Sequence, residues 1–228
     1  MIEIRNLSKR FDELIVLDRV TFEVPDAKLV VILGPSGTGK TVLLKSIIGL
    51  QPVDEGEVFI DGQSVQRADQ GTIYEIRKKI GFVFQGAALF DSMNVRENIA
   101  LPMVEHSSAS PREVREQVVK ILEIVGLPGK DNLYPRSLSG GMKRLVSIGR
   151  ALSLDPKYLF YDEPTTGLDP VMKDRIVKLV SSLKKDYQKS GIVVTHDLET
   201  AQAIGDIIYM LKNGRIARLE KIGKEYYG

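Results

Sequence analysis

The 228-residue sequence contains no cysteine, so disulfides, thiolate metal sites and cysteine nucleophiles are all excluded, as fits a reducing compartment. It also lacks long apolar runs. The longest aliphatic run, Leu29–Leu33, is far below the roughly 20 residues that a membrane helix needs, so any membrane location is expected to come through a partner that spans the bilayer. Neither charge sign is in excess: 32 Lys and Arg face 30 Asp and Glu, which argues against selection of nucleic acid or anionic lipid by overall charge.

The composition, with 43% hydrophobic and 27% charged residues, is typical of a globular chain. Four short runs are apolar on both faces, as a helix-covered parallel sheet requires, and they predict an α/β core: Leu29–Leu33, Lys79–Phe84, Tyr158–Tyr161 and Ile192–Thr195. Three shorter strands predict an antiparallel flap beside that sheet, interrupted by Asp26, by Asp54-Glu55-Gly56 and by Asp61-Gly62: Ile2–Ile4, Val20–Val24 and Glu57–Ile60.

Capping signals predict two further helices. Ser110, Pro111 and Glu113 form a capping box that opens one helix, which we expect to end at Gly126. Asp169-Pro170 opens the other. The stretch 86–136 has no convincing central strand and is interpreted as a mainly helical insert, and Asn213-Gly214 predicts a closing hairpin.

A glycine-rich segment lies between the Leu29–Leu33 strand and a helical run that starts near Val42. It reads Gly34-Pro35-Ser36-Gly37-Thr38-Gly39-Lys40-Thr41 and matches the phosphate-binding pattern G-x-x-x-x-G-K-[ST]. Glycines let backbone N–H groups at a helix N-terminus wrap around an anion. Lys40 adds a positive charge for the outer phosphates, and the Thr41 hydroxyl can ligate Mg²⁺. The segment therefore predicts a nucleoside triphosphate site.

Two adjacent carboxylates, Asp162 and Glu163, end the Tyr158–Tyr161 strand. In a doubly wound sheet such strand ends emerge at the ligand crevice. We expect Asp162 to hold Mg²⁺ and Glu163 to polarise the water that attacks the γ-phosphorus. An Asp-Glu pair before a proline is also typical of a solvated turn, but the phosphate loop favours the catalytic interpretation.

A second glycine-rich segment lies upstream of these carboxylates and reads Leu138-Ser139-Gly140-Gly141-Met142-Lys143-Arg144. Ser139 is expected to cap a helix, with the amides of Gly140 and Gly141 directed at an anion. The segment closely resembles the signature sequence of ATP-binding cassette (ABC) ATPases. A glycine-rich helix start capped by serine would be the simpler interpretation, but it would not explain why the segment lies at this spacing before Asp162 and Glu163.

Four other positions fit the pattern of this family. The resemblance implies that Gln85 senses Mg²⁺ and the γ-phosphate, and that His196 bonds the γ-phosphate. Asp169, in Gly167-Leu168-Asp169, is similar to the D-loop residue that crosses to the partner subunit, and Phe11 matches the aromatic residue that stacks on adenine. A lone Gln, His or Phe is usually a loop cap, a satisfied core imidazole or a core ring.

The resemblance covers nearly the whole chain, from about Met1 to Arg218. It implies an α/β fold with a RecA-like P-loop NTPase core, an antiparallel β flap and a helical insert, which is the ABC ATPase fold. We expect one domain over 1–228, with core and flap at 1–85 and 151–228 and a helical subdomain with the signature segment at 86–150. The resemblance also implies an ATPase that uses ATP and Mg²⁺ as a head-to-tail homodimer, in which ATP on the phosphate loop of one subunit is closed over by Ser139, Gly140 and Gly141 of the other.

Within the family, Gly81–Met93 resembles the Q-loop region of the Mla/MCE-type phospholipid transport ATPases, as do Asn98–Pro102 and Met142. Met142 stands where most ABC ATPases carry glutamine, and methionine cannot donate a hydrogen bond toward the ribose. This resemblance implies phospholipid transport powered through an integral membrane permease dimer that docks near Gly86–Met93. The expected partners are that permease and an MCE-domain lipid-binding protein, with no nucleic acid, at the cytoplasmic face of the inner membrane.

Other interpretations stay open. The nucleotide-binding motifs are shared by all ABC ATPases, so they also suit an importer ATPase for amino acids or another small solute. A non-transport ABC protein is a third alternative, although such proteins commonly carry two cassettes or a long coiled-coil insertion. Core packing is the alternative role for Phe90 and Met93. The last residues, Lys221–Gly228, carry no helical period and are interpreted as a frayed terminus.

Overall fold

The computed structural model describes residues 1–220, which form two β-sheets with an apolar layer between them and helices packed on both faces of the larger sheet. The flap is an antiparallel sheet of four strands, in the order β2 (Leu14–Val24), β1 (Ile2–Phe11), β4 (Glu55–Ile60) and β5 (Gln63–Ser64). The main sheet has six strands, in the order β10 (Arg215–Arg218), β9 (Ile207–Lys212), β3 (Leu29–Leu33), β8 (Ser190–Thr195), β7 (Tyr158–Asp162) and β6 (Ile80–Val83). Adjacent strands of this sheet run parallel, except that β10 pairs antiparallel with β9.

Alternation along the central strands divides the core into two apolar layers. In β3, Val30 and Ile32 face the flap, whereas Val31 and Leu33 face the opposite layer. Because every residue of β3 is buried, the strand has no polar face, as a sheet covered on both sides requires. The parallel arrangement brings the carboxyl ends of β3, β6, β7 and β8 to one edge, where ligands bind in such sheets.

The helices are α1 (Lys40–Ile47), α2 (Gln70–Lys78), α3 (Val95–His106), α4 (Pro111–Ile124), α5 (Gly140–Leu152), α6 (Pro170–Tyr187) and α7 (Leu198–Ile204), with a 3₁₀ turn at Pro135–Ser137. Helices α3, α4 and α5 form the insert between β6 and β7. Their apolar faces belong to the same buried cluster as one face of the main sheet, so the insert is packed onto the core.

The four core strands, the capping-box helix and the closing hairpin confirm the α/β prediction, with end points that differ by one or two residues. The flap strands β1 and β2 are longer than predicted, because register shifts carry their pairing past the polar residues between Ile4 and Val20. The prediction that Glu55-Gly56 interrupts a strand is wrong. Both residues belong to β4, where Gly56 (φ 89°) lies against the backbone of Asn6 and leaves no room for a side chain.

Helices α2 and α7 were not predicted, and α3 was covered only by the prediction of a mainly helical insert over 86–136. Helix α3 has a capping box of Asn94 and Glu97, but Pro102 lies inside it and breaks the usual helical signal. Helix α2 buries only Ile76, so its apolar periodicity is weak. Among residues 1–220, no helix combines the length and hydropathy needed to span a bilayer. The division at 86 and 150 stays a prediction, and the tail Lys221–Gly228 lies outside the described residues.

Candidate active site

The phosphate loop connects β3 to α1, and packing fixes its glycines. A Cβ on Gly34 would lie 2.6 Å from the carbonyl oxygen of Leu211. Gly39 has φ 95°, and its Cβ would lie 2.6 Å from Val16 Cγ1 in the flap. The loop is therefore held between the main sheet and the flap, and larger residues at these positions would displace it.

Lys40 lies at the start of α1 and is 6% exposed. Its Nζ donates hydrogen bonds to the carbonyl oxygens of Gly34 and Pro35, both at 2.8 Å, and lies 3.3 Å from Glu163 Oε1. Thr38 also donates to the Pro35 carbonyl, at 2.9 Å. A buried ammonium group is thus held inside the loop, where it can exchange these partners for phosphate oxygens.

Thr41 and Asp162 meet where α1 faces the end of β7. The Thr41 Oγ1 lies 3.0 Å and 2.9 Å from the two carboxylate oxygens of Asp162. Burial raises the pKa of Asp162, while the hydrogen bond from Thr41 opposes that rise and the negative charge of Glu163 adds to it. Hydroxyl and carboxylate oxygens are hard donors of the kind that Mg²⁺ prefers, so the pair fits a magnesium ion. Among residues 1–220, no group of three or more Asp, Glu, His or Cys could hold a metal by itself.

Glu163 follows β7 with a left-handed backbone, at φ 50°. Its Oε2 accepts a hydrogen bond from Thr166 Oγ1 at 2.9 Å and lies 2.9 Å from His196 Nδ1, just after β8. The carboxylate therefore bridges Lys40 of the phosphate loop and His196. This position suits a general base held beside a phosphate site.

One cavity of about 390 Å³ joins most of the predicted nucleotide residues. Gln85, after β6, and Phe11, at the end of β1, both line it with exposed side chains. The full lining comprises Phe11, Val16, Ser36, Gly37, Gly39, Lys40, Thr41, Val42, Gln85 and Glu163. The volume lies within the range of small-molecule sites.

The signature segment does not line this cavity. Ser139 caps α5 by accepting a hydrogen bond from the amide of Met142 at 3.2 Å, and Gly140 is exposed. Asp169 caps α6 through the amide of Met172, at 3.0 Å. A Cβ on Gly141 would overlap the Met172 side chain, so the N-termini of α5 and α6 lie side by side. The chain thus presents Ser139, Gly140 and Asp169 on a second surface.

Sequence reasoning missed Arg144, a buried residue of α5. Its Nη1 donates to the carbonyl oxygen of Phe84 at 2.6 Å, directly before Gln85, and Arg150 Nη2 donates to the Ala87 carbonyl at 3.1 Å. Burial lowers the pKa of Arg144, and the charge of Asp162 counteracts this. The signature helix therefore holds the loop that carries Gln85. A basic residue inside an amphipathic helix gives no signal of such a distant partner.

A larger groove of about 630 Å³ lies between α2, β6, α3 and α5. Its lining includes the aromatic side chains of Phe82, Phe84 and Phe90, together with the cationic side chains of Arg77 and Arg150. Phe90 is 50% exposed. Of the predicted docking residues, Phe90 and Ala88 line the groove, whereas Gly86, Ala87 and Met93 do not.

Comparison with known proteins identifies the family. Residues 17–166 match the family model described as ABC transporter. The chain belongs to the ABC transporter ATPases. This confirms the predicted family and the ATPase activity.

The relatives of this ABC ATPase are named for the transport of different substrates. The intermembrane phospholipid transport system ATP-binding protein MlaF of Haemophilus influenzae is 38% identical over 95% of this chain and 82% of its own length. The probable ribonucleotide transport ATP-binding protein mkl of Mycobacterium tuberculosis is 39% identical over 92% of this chain and 58% of its own. The sulfate/thiosulfate import ATP-binding protein CysA of Synechocystis is 39% identical over 95% and 59%.

Solved structures confirm the ABC ATPase fold. The dimeric ATP-binding cassette MJ0796, in a post-hydrolysis state bound to ADP and Pi, superimposes with a TM-score of 0.87 at 33% identity, over 97% of this chain and 100% of that one. A second dimeric structure of MJ0796, described as a bacterial ABC transporter cassette, gives a TM-score of 0.88 over the same shares.

Proposed function

We propose that this ABC ATPase binds ATP with Mg²⁺ in the cavity between the phosphate loop and the flap, and that the hydrolysis powers phospholipid transport through a membrane permease. The observation that carries the site assignment is the single cavity in which Lys40, Thr41, Gln85, Glu163 and Phe11 meet.

The triphosphate would lie on the phosphate loop, from Gly34 to Thr41. Backbone amides at the N-terminus of α1 attract the phosphate charge. Lys40 is buried beside Glu163 at 3.3 Å, so the phosphates would compete with this carboxylate for the ammonium group. Binding of ATP would thereby release Glu163 for catalysis.

Glu163 would then accept a proton from the attacking water. Oε2 is oriented by Thr166 and by His196, each at 2.9 Å, which restricts the carboxylate to one direction. His196, turned toward the γ-phosphate, would stabilise the charge that develops there.

Thr41, Asp162 and Gln85 would hold the magnesium ion, which would neutralise charge on the β- and γ-phosphates. The Thr41–Asp162 pair is already in contact at 2.9 Å and 3.0 Å, so little rearrangement is needed before the ion binds. Gln85 also lines the cavity and can add the oxygen of its side-chain amide.

The remaining donors would come from a second copy in a head-to-tail homodimer. Ser139 and Gly140 are exposed and lie outside the cavity of their own chain, as does Asp169. The dimeric state of MJ0796 supports such an assembly. Closure of two copies over ATP would make hydrolysis depend on binding, because each site would need both chains.

The groove that contains Phe90 would receive a short helix of the permease. A lining that combines apolar and cationic side chains suits an amphipathic helix. Such docking would hold the protein at the cytoplasmic face of the inner membrane, peripheral through the permease. An MCE-domain lipid-binding protein would be a further partner of the complex.

The phospholipid assignment is supported by the MlaF relatives of Haemophilus influenzae and Escherichia coli, at 38% and 36% identity over 95% of this chain. CysA, at 39%, supports a second candidate, an importer ATPase for a small solute. The complex should be purified and its bound lipids analysed by mass spectrometry, and phospholipid transfer between labelled vesicles should be measured with ATP. ATP-dependent transfer would support the lipid assignment. ATP turnover stimulated by a small-solute binding protein, without lipid transfer, would support the importer.

Docking is tested by Phe90→Asp, which places a charge on the apolar wall. We expect it to abolish co-purification of the permease while ATP binding by the isolated subunit is retained. Val119→Asp is the matched control, because Val119 is a 56% exposed apolar residue that does not line the groove. If Phe90→Asp still recovers the permease at the control level, the docking surface is wrong.

A further inference from the structure

Lys9 is a charged residue on the buried face of a strand. In β1 it follows Leu7 at a spacing of two, and both are buried, with Lys9 8% exposed. Burying an ammonium group is unfavourable unless it is paired. Its two partners are the Asp54 carboxylate, 3.0 Å from Nζ, and the ring of Phe11, whose centroid lies 5.2 Å from Nζ.

Asp54 fixes the end of β1 as well as Lys9. It accepts a hydrogen bond from the amide of Arg10 at 2.6 Å, and its own amide donates to the carbonyl oxygen of Ser8 at 3.0 Å. These bonds flank Lys9 on both sides, next to Ser8 and Glu55, the last residue pair between β1 and β4. The accepted bonds from Arg10 and Lys9 lower the pKa of Asp54, so the carboxylate stays charged.

Phe11 has little apolar support of its own. The ring is 42% exposed and belongs to neither buried apolar cluster. It lines the nucleotide cavity, whereas Lys9 does not. Lys9 therefore contacts the ring without occupying the cavity.

We propose that Lys9 is a positioning residue: its ammonium group, anchored by Asp54, holds the Phe11 ring so that the ring presents a face to the base of the bound nucleotide. A cation near an aromatic face is attracted by the ring quadrupole, which restricts the rotamers of a side chain at a strand end. The inference rests on the proposed nucleotide site and concerns only the base, not the triphosphate.

The test compares ATP with inorganic tripolyphosphate, which has no base, in equilibrium titrations of the full chain. Lys9→Met keeps the aliphatic stem and removes the charge. We expect ATP to bind about three- to tenfold more weakly and tripolyphosphate to bind as in the parent. Lys9→Arg keeps the cation and should restore ATP affinity. Asp54→Asn should give a smaller loss in the same direction.

A double-mutant cycle with Phe11→Ala supplies the decisive comparison. We expect Lys9→Met to have no further effect on ATP affinity once the ring is absent. Equal weakening of ATP and tripolyphosphate, an undiminished effect in the Phe11→Ala background, or unchanged ATP affinity in a folded Lys9→Met protein would overturn the proposal. If Lys9→Met does not fold, Asp54→Asn decides the same question.

The two proposals fail differently. If Phe11→Ala binds ATP as the parent does, the base does not stack on this ring and the proposed nucleotide site is wrong in that part. If Phe11→Ala weakens ATP binding and Lys9→Met does not, only the role of Lys9 is wrong.

Discussion

Replacing Glu163 with glutamine is expected to stop turnover and to preserve ATP binding. The carboxylate lies 3.3 Å from Lys40 Nζ and 2.9 Å from His196 Nδ1, and glutamine fits the same volume. An amide oxygen cannot accept a proton from water as a carboxylate does. Loss of a general base typically lowers rates by about 10²- to 10⁴-fold, and we expect phosphate release at saturating ATP to fall by that factor.

The same substitution should lower the free energy of unfolding. Removing one partner of a buried ion pair typically costs about 3–5 kcal/mol. Lys40 keeps two carbonyl acceptors at 2.8 Å, so a smaller loss of about 1–3 kcal/mol is expected here. ATP should offset it, because phosphate oxygens replace the missing carboxylate and ligand binding stabilises the folded state.

Three measurements check this reasoning: phosphate release, equilibrium ATP titration, and thermal unfolding with and without ATP. Glu116→Gln is a suitable control, since Glu116 is an exposed glutamate on α4 that pairs only with Arg112 among the described ion pairs of residues 1–220. Size-exclusion chromatography with ATP should also show Glu163→Gln trapped as a closed dimer. Turnover at the parent rate would refute the assignment of Glu163 as the base. Loss of ATP affinity would show that its charge serves binding.

Three other changes separate the remaining roles. Lys40→Ala removes the only ammonium group lining the cavity within residues 1–220 and should weaken ATP binding at least about 100-fold in a titration; parent affinity would contradict its phosphate contact. Ser139→Ala should lower hydrolysis but not nucleotide binding by the isolated subunit, apart from about 1 kcal/mol of lost helix capping in thermal unfolding. Asp162 should give a distinctive pH profile: because burial raises its pKa, its protonation stabilises the fold as pH falls through the folded pKa, and that contribution is lost as pH rises again. Asp162→Asn removes the charge that burial disfavours, so it should raise the melting temperature of the metal-free protein at neutral pH, and it should abolish Mg²⁺-dependent turnover.

The nucleotide loop could be predicted because its signal is local. Gly34 to Thr41 follow one another in sequence, and the flanking strand and helix follow from nearby periodicity. The positions of Asp162 and His196 follow from a second rule, since both lie at carboxyl ends of parallel strands. Residues at these strand ends meet at one edge of the sheet whatever the details of side-chain packing.

Other parts of the site depend on contacts between distant segments. Arg144 of the insert reaches the Phe84 carbonyl just after β6, and Lys9 reaches Asp54 just beyond the last residue pair of β1 with β4. Lys9 lies in no motif, and although Arg144 ends the signature segment, nothing in the sequence indicates its distant partner. The length of β1 was missed for a similar reason, since its register shifts hide the period of two.

The position of the signature segment explains why binding and hydrolysis should be separable. The N-terminus of α5 is fixed against α6 by the contact between Gly141 and Met172, so Ser139 cannot swing toward the phosphate loop without breaking this packing. The first turn of α5 carries no acidic residue that would repel a phosphate. In the proposed dimer, one chain would bind the triphosphate through Lys40, and the other chain would supply the N-terminus of its α5. A single copy would then bind ATP through its own phosphate loop, and the donors of the partner's α5 would be added only on closure.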